Sequence, residues 1–445
     1  MFETLRNAWK IEDLRKKIIY TLMILIVVRV GSAIPVPFLD PTMLKLLVAS
    51  GGSLLGYLDI LTGGAFSNAT IFALSISPYI TSSIVIQLLQ VAIPALERMA
   101  KEGEEGQEKI KKITRYTSVG LAVLQAVAFY TMFRNQYGAV AYTQGASGVL
   151  AALTIIVSFT AGAMLVVWLG ERIDEKGIGN GISLILFAGI VSRVPTGIAR
   201  MGTYLKPSNI QAMDAQMKAA GSGGMLPYQA YWVLVPVVAV IFLLEIAFIV
   251  VMNSAERRIP VQYAKKVVGR KMYGGQSSYI PIKVNMSGVL PVIFASTFLA
   301  IPSTVAGFIK EGTLKNVLSW FNYDTWLYAV LYFILIIAFN YFYIAIQYNP
   351  VEMANNIRKN NGAIPGIRPG RPTSDFISKV ISKITLVGAL MLAVIAILPI
   401  ILGALAKMNI ALGGTSVIIL VGVALDTVRS LESQMMMRHY KGFLE

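Results

Sequence analysis

The sequence predicts an all-α polytopic membrane protein with ten transmembrane helices arranged as two five-helix halves, and three observations carry that prediction. Only 14% of the 445 residues are charged, while 56% are hydrophobic and the mean hydropathy is +0.65. A soluble domain carries about 25% charged residues. Apolar runs near the ~20 residues that cross a bilayer recur along the whole chain. A shorter apolar run, Leu54 to Leu61, stands between Gly51-Gly52-Ser53 and Thr62-Gly63-Gly64. As a helix it reaches only about 12 Å, well under half of the hydrocarbon core. Glycine-bracketed backbone at membrane depth survives only where protein buries it or where it lines an aqueous cavity. The stretch therefore predicts a cavity with a short element seated in it.

Taken in order, spans are expected at about 18–34, 71–93, 113–133, 149–169, 182–192 with extension to either side, 231–252, 289–308, 326–347, 380–402 and 410–428. The basic start before Ile18 does not read as a cleavable leader, because the apolar segment runs through Arg29 into Pro35-Val36-Pro37. Pro78 is expected to weaken the second helix locally. Gly177-Ile178-Gly179-Asn180-Gly181 lacks the spacing and the preceding strand of a nucleotide-binding loop. It reads instead as the start of the fifth helix, with Gly179 or Asn180 supplying the non-helical backbone before the first turn.

An even number of spans puts both termini on one side. Most of the 39 Lys and Arg fall in the N-terminus, in loops 2/3, 4/5, 6/7 and 8/9, and in the C-terminal tail. By the positive-inside rule that side is cytoplasmic, so the net charge of +16 is mostly a topology signal. The Gly- and Pro-rich stretch from Arg193 to about Tyr228 divides the helices five and five: an N-terminal half over 1–200, an external hinge loop over 201–228 and a C-terminal half over 229–445. Five is odd, so related halves would have to lie in opposite orientations, as in inverted-repeat transporters.

Loop 6/7, about 254–286, interleaves Arg257, Arg258, Lys265, Lys266, Arg270, Lys271 and Lys283 with Tyr263, Tyr273 and Tyr279. Loop 8/9, about 348–379, carries Pro365-Gly366-Ile367-Arg368-Pro369-Gly370, and its Pro and Gly content suits a shaped loop rather than a helix. Charge of this kind can simply be solvated near anionic headgroups. Docking of a large, negatively charged partner explains both clusters better.

The chemistry that is missing narrows the function. Zero cysteines exclude disulfides and thiolate chemistry, and the single histidine, His439, cannot build a multi-histidine metal site. There is no phosphate-binding loop, no His-Glu-x-x-His and no pair of mid-helix aspartates. No enzyme and no cofactor is expected. Charges within the spans are few: Arg29, Glu245 and Asp426. For Glu245 three roles stay open: a hydrogen-bonded buried acid, a residue facing a subunit or lumen, or an ion-coupling site. The last would suit the alternative reading, a secondary transporter with inverted repeats.

Five passages, in order along essentially the whole chain, resemble a known family. They are Ser77-Pro78-Tyr79-Ile80-Thr81-Ser82-Ser83-Ile84; the run Gly170-Glu171-Arg172-Ile173-Asp174-Glu175-Lys176-Gly177-Ile178-Gly179-Asn180-Gly181-Ile182-Ser183; Ala255-Glu256-Arg257-Arg258-Ile259-Pro260; Tyr279-Ile280-Pro281-Ile282-Lys283-Val284-Asn285; and Pro365-Gly366-Ile367-Arg368-Pro369-Gly370. Together they are similar to the SecY family, the channel subunits of the bacterial Sec protein translocon. The resemblance implies a multi-pass protein of the bacterial cytoplasmic membrane whose halves enclose an hourglass pore. Unfolded preproteins pass through it, and apolar segments such as signal peptides leave sideways into lipid.

Position by position, the resemblance implies a pore ring of Ile76, Ile80, Ile182, Leu186, Leu290 and Ile419. Leu186 and Leu290 stand where isoleucine is common in the family. Ile76/Ile80 and Ile182/Leu186 are each four apart, so each pair lies on one helix face. Without the family such residues would read as ordinary interhelical or lipid-facing apolar side chains. The run from Leu54 to about Phe66 becomes a re-entrant plug, with Leu54, Leu55, Tyr57, Leu58, Ile60, Leu61 and Phe66 as its apolar body. Asp59 within it fits a wet funnel better than a dry one.

The resemblance places a lateral gate between helices two and three on one side and seven and eight on the other, where Ser83, Gln87, Gln90 and Gln125 lie. Such polar residues can also simply bond neighbouring helices, typically at about 0.6 kcal/mol each. It further implies that Arg270, Lys271 and Arg368 receive the ribosome or the SecA ATPase. Arg257 and Arg258, closer to helix six, would meet anionic lipid headgroups or the small SecE subunit, with a SecG-like subunit as a further partner.

Overall fold

The computed structural model describes residues 2–49, 59, 62–135, 138–219, 226–263, 266–268, 271–273, 277–306, 317–321, 325–406, 408 and 413–441. The first half consists of α1 (Phe2–Lys10), α2 (Glu12–Gly31), α3 (Pro41–Ala49), α4 (Ser77–Ala92), α5 (Pro94–Lys101), α6 (Glu104–Asn135), α7 (Gly145–Lys176) and α8 (Gly181–Thr203). After α9 (Pro207–Ala219) the second half follows: α10 (Tyr228–Ser254), α11 (Leu290–Ala306), α12 (Trp326–Gln347), α13 (Pro350–Lys359), α14 (Arg371–Ala406) and α15 (Gly414–Lys441).

Each expected span falls on one of α2, α4, α6, α7, α8, α10, α11, α12, α14 and α15, the ten-helix architecture read from the sequence. Among the described residues, seven helices are long and apolar enough to cross a membrane, and α4 with α5, joined across a 102° bend, makes an eighth. Outward faces are apolar: Leu150, Leu153 and Val157 on α7, and Val233, Leu243 and Val251 on α10, are all exposed. A surface of that kind is solvated by lipid chains rather than water.

Four expectations about local structure change. Helix two was expected from Ile71, but residues 62–76 form successive turns and α4 begins only at Ser77. The cause lies in the backbone: Ala69 (φ 50°) and Ser75 (φ 48°) take left-handed conformations that interrupt helical winding, and Thr70 pairs with Pro35 instead. Pro78 consequently does not weaken the helix. It sits in the first turn, where an amide hydrogen has no intrahelical partner to lose.

The external stretch 201–228 is not wholly a loop, since α8 runs to Thr203 and α9 occupies Pro207–Ala219. Loop 8/9 is mostly helical too. Asn349 caps α13 by accepting the amide hydrogens of Val351 and Glu352, and α14 starts as early as Arg371. Only 360–370 is irregular, with Gly362–Ala363 as the two-residue strand β5.

Loop 6/7 contains the strands β1 (Glu256–Tyr263), β2 (Lys266–Val268), β3 (Lys271–Tyr273) and β4 (Ser277–Lys283). β1 pairs antiparallel with β4 from Glu256↔Lys283 to Gln262↔Ser277 and, at its far end, with β5. Its side chains alternate as a two-residue period requires. Ile259 and Val261 point inward with Ile282, while Arg258 and Pro260 point out; Arg257 shares the inward face by register but is exposed at the strand's start. The inward set packs on Ile344, Ile357, Ile377 and Ile381, which roots the strands on α12, α13 and α14.

Candidate functional site

At the level where the two halves meet, one apolar cluster gathers side chains from both. Ile76, Leu186 and Ile419 are buried in it, Ile80 and Ile182 pack against it half-buried, and Val289 and Ile293 join from the second half. Five of the six ring positions expected from the sequence are thus brought together. Leu290 is half-buried in the first turn of α11, and the contribution from that segment comes from its neighbours Val289 and Ile293. Ile76 precedes α4 rather than lying in it, but the amide of Ile80 donates to the Ile76 carbonyl at 3.0 Å, so the pair keeps the spacing of a helical face.

The Gly170–Ser183 passage has a definite task here: it fixes where Ile182 stands. Asp174 at the end of α7 accepts the Gly181 amide hydrogen at 2.7 Å. Asn180 caps α8 by accepting from the Ser183 amide at 3.0 Å, and Gly179 takes φ +76°, open to glycine without strain. Both features are the helix start expected from the sequence. On the far flank, an ion pair between Arg115 of α6 and Glu171 ties α6 to α7.

Beside the cluster, away from the basic loops, lies an arrangement that sequence reasoning missed. Asp59 is buried, forms an ion pair with Arg193 of α8, and accepts the Ser67 amide hydrogen at 2.8 Å. Arg193 also donates to Ser67 Oγ at 3.1 Å. Arg29 of α2 donates to the carbonyls of Gly63, at 3.4 Å, and Ala188. The charge that had no evident place in the sequence therefore has a cationic partner in Arg193, while Arg29 holds the same turn through the Gly63 carbonyl. Both had been read separately, Arg29 as an isolated charge in a span and Arg193 as a loop residue.

Of the expected plug residues, Leu54, Leu55, Tyr57, Leu58, Ile60 and Leu61 lie outside the described residues. Phe66 is buried, and it does not join the ring cluster. It packs edge-on against Phe129 of α6, with ring centroids 5.3 Å apart, and belongs to the α6–α7 core, while its neighbour Ala65 sits in the ring cluster.

Ser82 stands on α4 beside the expected seam residues. Ser82 donates to the Thr114 carbonyl at 2.8 Å and holds α4 on α6. Gln87 donates to Ser83 on its own helix at 3.2 Å. Gln90 and Gln125 are half-buried.

On the basic side, Arg257 is exposed at the start of β1. Arg258 stacks 4.7 Å over the Tyr279 ring and pairs with Glu256 at 2.7 Å. Arg368 is exposed on the turn before α14, its carbonyl accepting from Thr373 at 2.8 Å. Lys271 opens β3, and Arg270 lies outside the described residues. Two cavities flank the basic-side end of α15. One, of about 360 Å³, is lined by Asp174, Asn180, Ser183 and Asp426. The other, of about 330 Å³, is lined by Asn253, Asn285, Asp426 and Arg429. Both have mixed polar and apolar linings and lie on the loop side of the apolar cluster.

Comparison with known proteins agrees with this layout. The model of the SecY family matches residues 70–428. A protein translocase subunit SecY of Thermotoga maritima is 41% identical, covering 100% of this chain and 98% of that one. The corresponding subunit of Streptomyces galbus is 42% identical across 100% of both chains. Among solved structures, a protein-conducting channel superposes with a TM-score of 0.62 at 18% identity, covering 95% of this chain and 92% of that one. A SecY whose plug domain is described as stabilising the closed state and maintaining a membrane seal gives a TM-score of 0.63 at 18% identity, with the same 95% and 92% coverage. Sec61 in a canine ribosome–channel complex gives 0.60, again at 18% identity and 95% and 92% coverage.

Proposed function

The chain belongs to the SecY family, and from that premise we propose which of its residues do the work of a protein-conducting channel. It is a multi-pass membrane protein and the channel subunit of a protein translocase, not an enzyme. That identity replaces the secondary-transporter alternative. The single observation carrying the residue assignment is the cluster of Ile76, Ile80, Ile182, Leu186 and Ile419, drawn from three segments distant in sequence. Branched aliphatic side chains converging at one level exclude water and ions by dewetting, yet rotate aside around a passing chain because they form no directed bonds. In this reading they form the pore ring, with Leu290 or its neighbour Val289 completing it.

The segment from Leu54 to about Phe66 is the plug, seated on the external side of the ring. α4 and α6, facing α11 and α12, form the seam through which apolar segments leave. Ser83, Gln87, Gln90 and Gln125 line that seam, and any interhelical polar contact they make on closing is worth only about 0.6 kcal/mol. The basic loops face the cytoplasm with both termini, in the bacterial cytoplasmic membrane, and the chain divides into halves over 1–200 and 229–445.

The partner surface is built on the β1–β4 ladder. Arg270, Lys271 and Arg368 receive the ribosome or SecA, while Arg257 and Arg258 meet anionic headgroups or a SecE-like subunit, with a SecG-like subunit as a further partner. The arginine fork of Arg258, held flat on Tyr279, suits a planar anionic group.

The decisive experiment is uptake by proteoliposomes holding this protein with SecE and SecA. ATP-dependent protection of a signal-bearing preprotein is expected. Robust small-solute flux without such uptake would overturn the reading.

A further inference from the structure

We propose that the Asp59–Arg193 ion pair, together with Arg29 on the Gly63 carbonyl, is the latch that holds the plug in its seat. The inference rests on the plug assignment above and adds the residues that position it. Three helical or near-helical segments converge on the latch. α2 brings Arg29, α8 brings Arg193 and the carbonyl of Ala188, and the plug with its C-terminal end brings Asp59, Gly63 and Ser67.

The tether is shaped to fit between the two guanidinium groups. Gly63 has φ +64°, and a Cβ there would lie 2.6 Å from Arg29 Nη1 and 2.8 Å from the Gly189 carbonyl oxygen. Gly64 has φ +93°, and its Cβ would lie 2.8 Å from the Arg193 guanidinium. Both positions need glycine twice over, for the left-handed backbone and for the missing side chain. Around the same spot Thr62 Oγ1 accepts the Phe66 amide hydrogen at 3.2 Å, and the Gly64 amide donates to the Asp59 carbonyl at 2.8 Å. Asp59 is thereby rigidly aimed rather than merely nearby.

The charge arithmetic gives the latch a direction. Arg29 and Arg193 are near enough to repel one another, and Asp59 is the acid that pairs with Arg193. When the plug leaves, Asp59 goes with it, and two cations remain facing each other at the external end of the pore. That state lacks the attraction which the seated plug supplies, so reseating is favoured electrostatically as well as by apolar burial. Arg193 Nε, buried and without a hydrogen-bond partner among the described residues, marks a fit good enough to hold and not so complete as to be irreversible. The pair therefore acts as a positioning device for the closed state. It takes no part in the ring, which can close around a chain whether or not the plug is seated.

The test is a double-mutant cycle read as resting conductance of the reconstituted channel in planar bilayers, alongside preprotein uptake. Asp59→Asn and Arg193→Gln are each expected to raise resting open time about tenfold, with uptake by SecA retained, because breaking one partner of a buried pair strands the other. The double variant is expected to open no more than either single one, the signature of a shared contact. Ser67→Ala, which removes the hydroxyl that accepts from Arg193 and donates to the Gly64 carbonyl, is the mild companion should a charge variant not accumulate, and it is expected to raise open time about threefold. Raised salt should slow reseating in the parent and have a weaker effect on Asp59→Asn.

Single variants within twofold of the parent, or a double variant whose effects multiply, would overturn the latch. Deleting Leu54 to Phe66 separates the two ideas. If the deletion leaks while the point variants do not, the plug stands and the latch fails. If the deletion does not leak either, the plug assignment fails with it.

Discussion

The apolar cluster and the charged socket meet on α8, and in the proposed reading they close the channel by opposite physics. The ring draws Ile76, Ile80, Ile182, Leu186 and Ile419 into contact without a single directed bond. Its cohesion scales with area and tolerates any geometry that keeps water out. The socket holds Asp59, Gly63 and Ser67 through an ion pair and hydrogen bonds that work in one arrangement only. α8 carries both, Ile182 and Leu186 at its start and Arg193 two turns beyond. A passing polypeptide of arbitrary sequence needs the first kind of contact, and a plug that must return to one place needs the second. One helix can serve both because residues a few turns apart face different depths of the pore.

The largest expected effect tests whether the ring alone suffices. Removing Leu54 to Phe66 should leave preprotein uptake possible while resting ion conductance rises well above that of any point variant. An unchanged conductance would mean that the ring seals unaided and that the socket holds something other than a seal. Next comes the ring itself. Ile76 is fully buried, and Ile76→Asn places an amide among aliphatic groups, where an unsatisfied polar group costs about 1–3 kcal/mol. The waist should become wettable and conduct ions at rest, though less than after deletion, because the plug still covers it. Equal conductance in the two variants would collapse the distinction between the layers.

A smaller effect is expected from Gly63→Ala. The side chain must enter the Arg29 contact from a φ of +64°, which costs about 1–3 kcal/mol in the seated state only. Resting conductance should rise several-fold with the thermal stability of the detergent-solubilised protein nearly unchanged. A large drop in stability instead would show that the tether is part of the core rather than a movable seat.

How much of this the sequence made legible depended on the range of the interaction. Spans were readable because a run of apolar residues near 20 long has one meaning in a bilayer. The Asn180 cap was readable because capping is local. The turns over 71–76 were not, since Ile71, Phe72, Leu74 and Ile76 read equally well as a buried turn or as helix. The β1–β4 ladder did leave a signal in the alternation of Ile259, Val261, Ile280 and Ile282 with Pro260 and Pro281 between them, but the basic residues drew attention to docking rather than to pairing. The socket left none. Asp59 and Arg193 are 134 positions apart, and nothing around either residue names the other. Long-range charge pairing in a membrane protein is visible only once the helices are in place.

Glu245 gives the smallest expected effect and the sharpest control, because it is a membrane charge without a socket. It lies about two-thirds of the way along α10, 5% exposed, and neither carboxylate oxygen has a hydrogen-bond partner among the described residues. In the socket, by contrast, the buried acid meets a cation and an amide hydrogen. A charge that makes bonds is costly to remove, whereas one that makes none gives up nothing when it becomes an amide of the same shape. Glu245→Gln is therefore expected to leave preprotein uptake and resting conductance within about twofold of the parent, with thermal stability equal or slightly higher. Asp59→Asn, the same chemical change, is expected to open the channel. If Glu245→Gln instead abolished uptake while leaving the folded protein intact, the acid would have to act on a moving ion, and position in the membrane rather than partnership would decide which charges matter here.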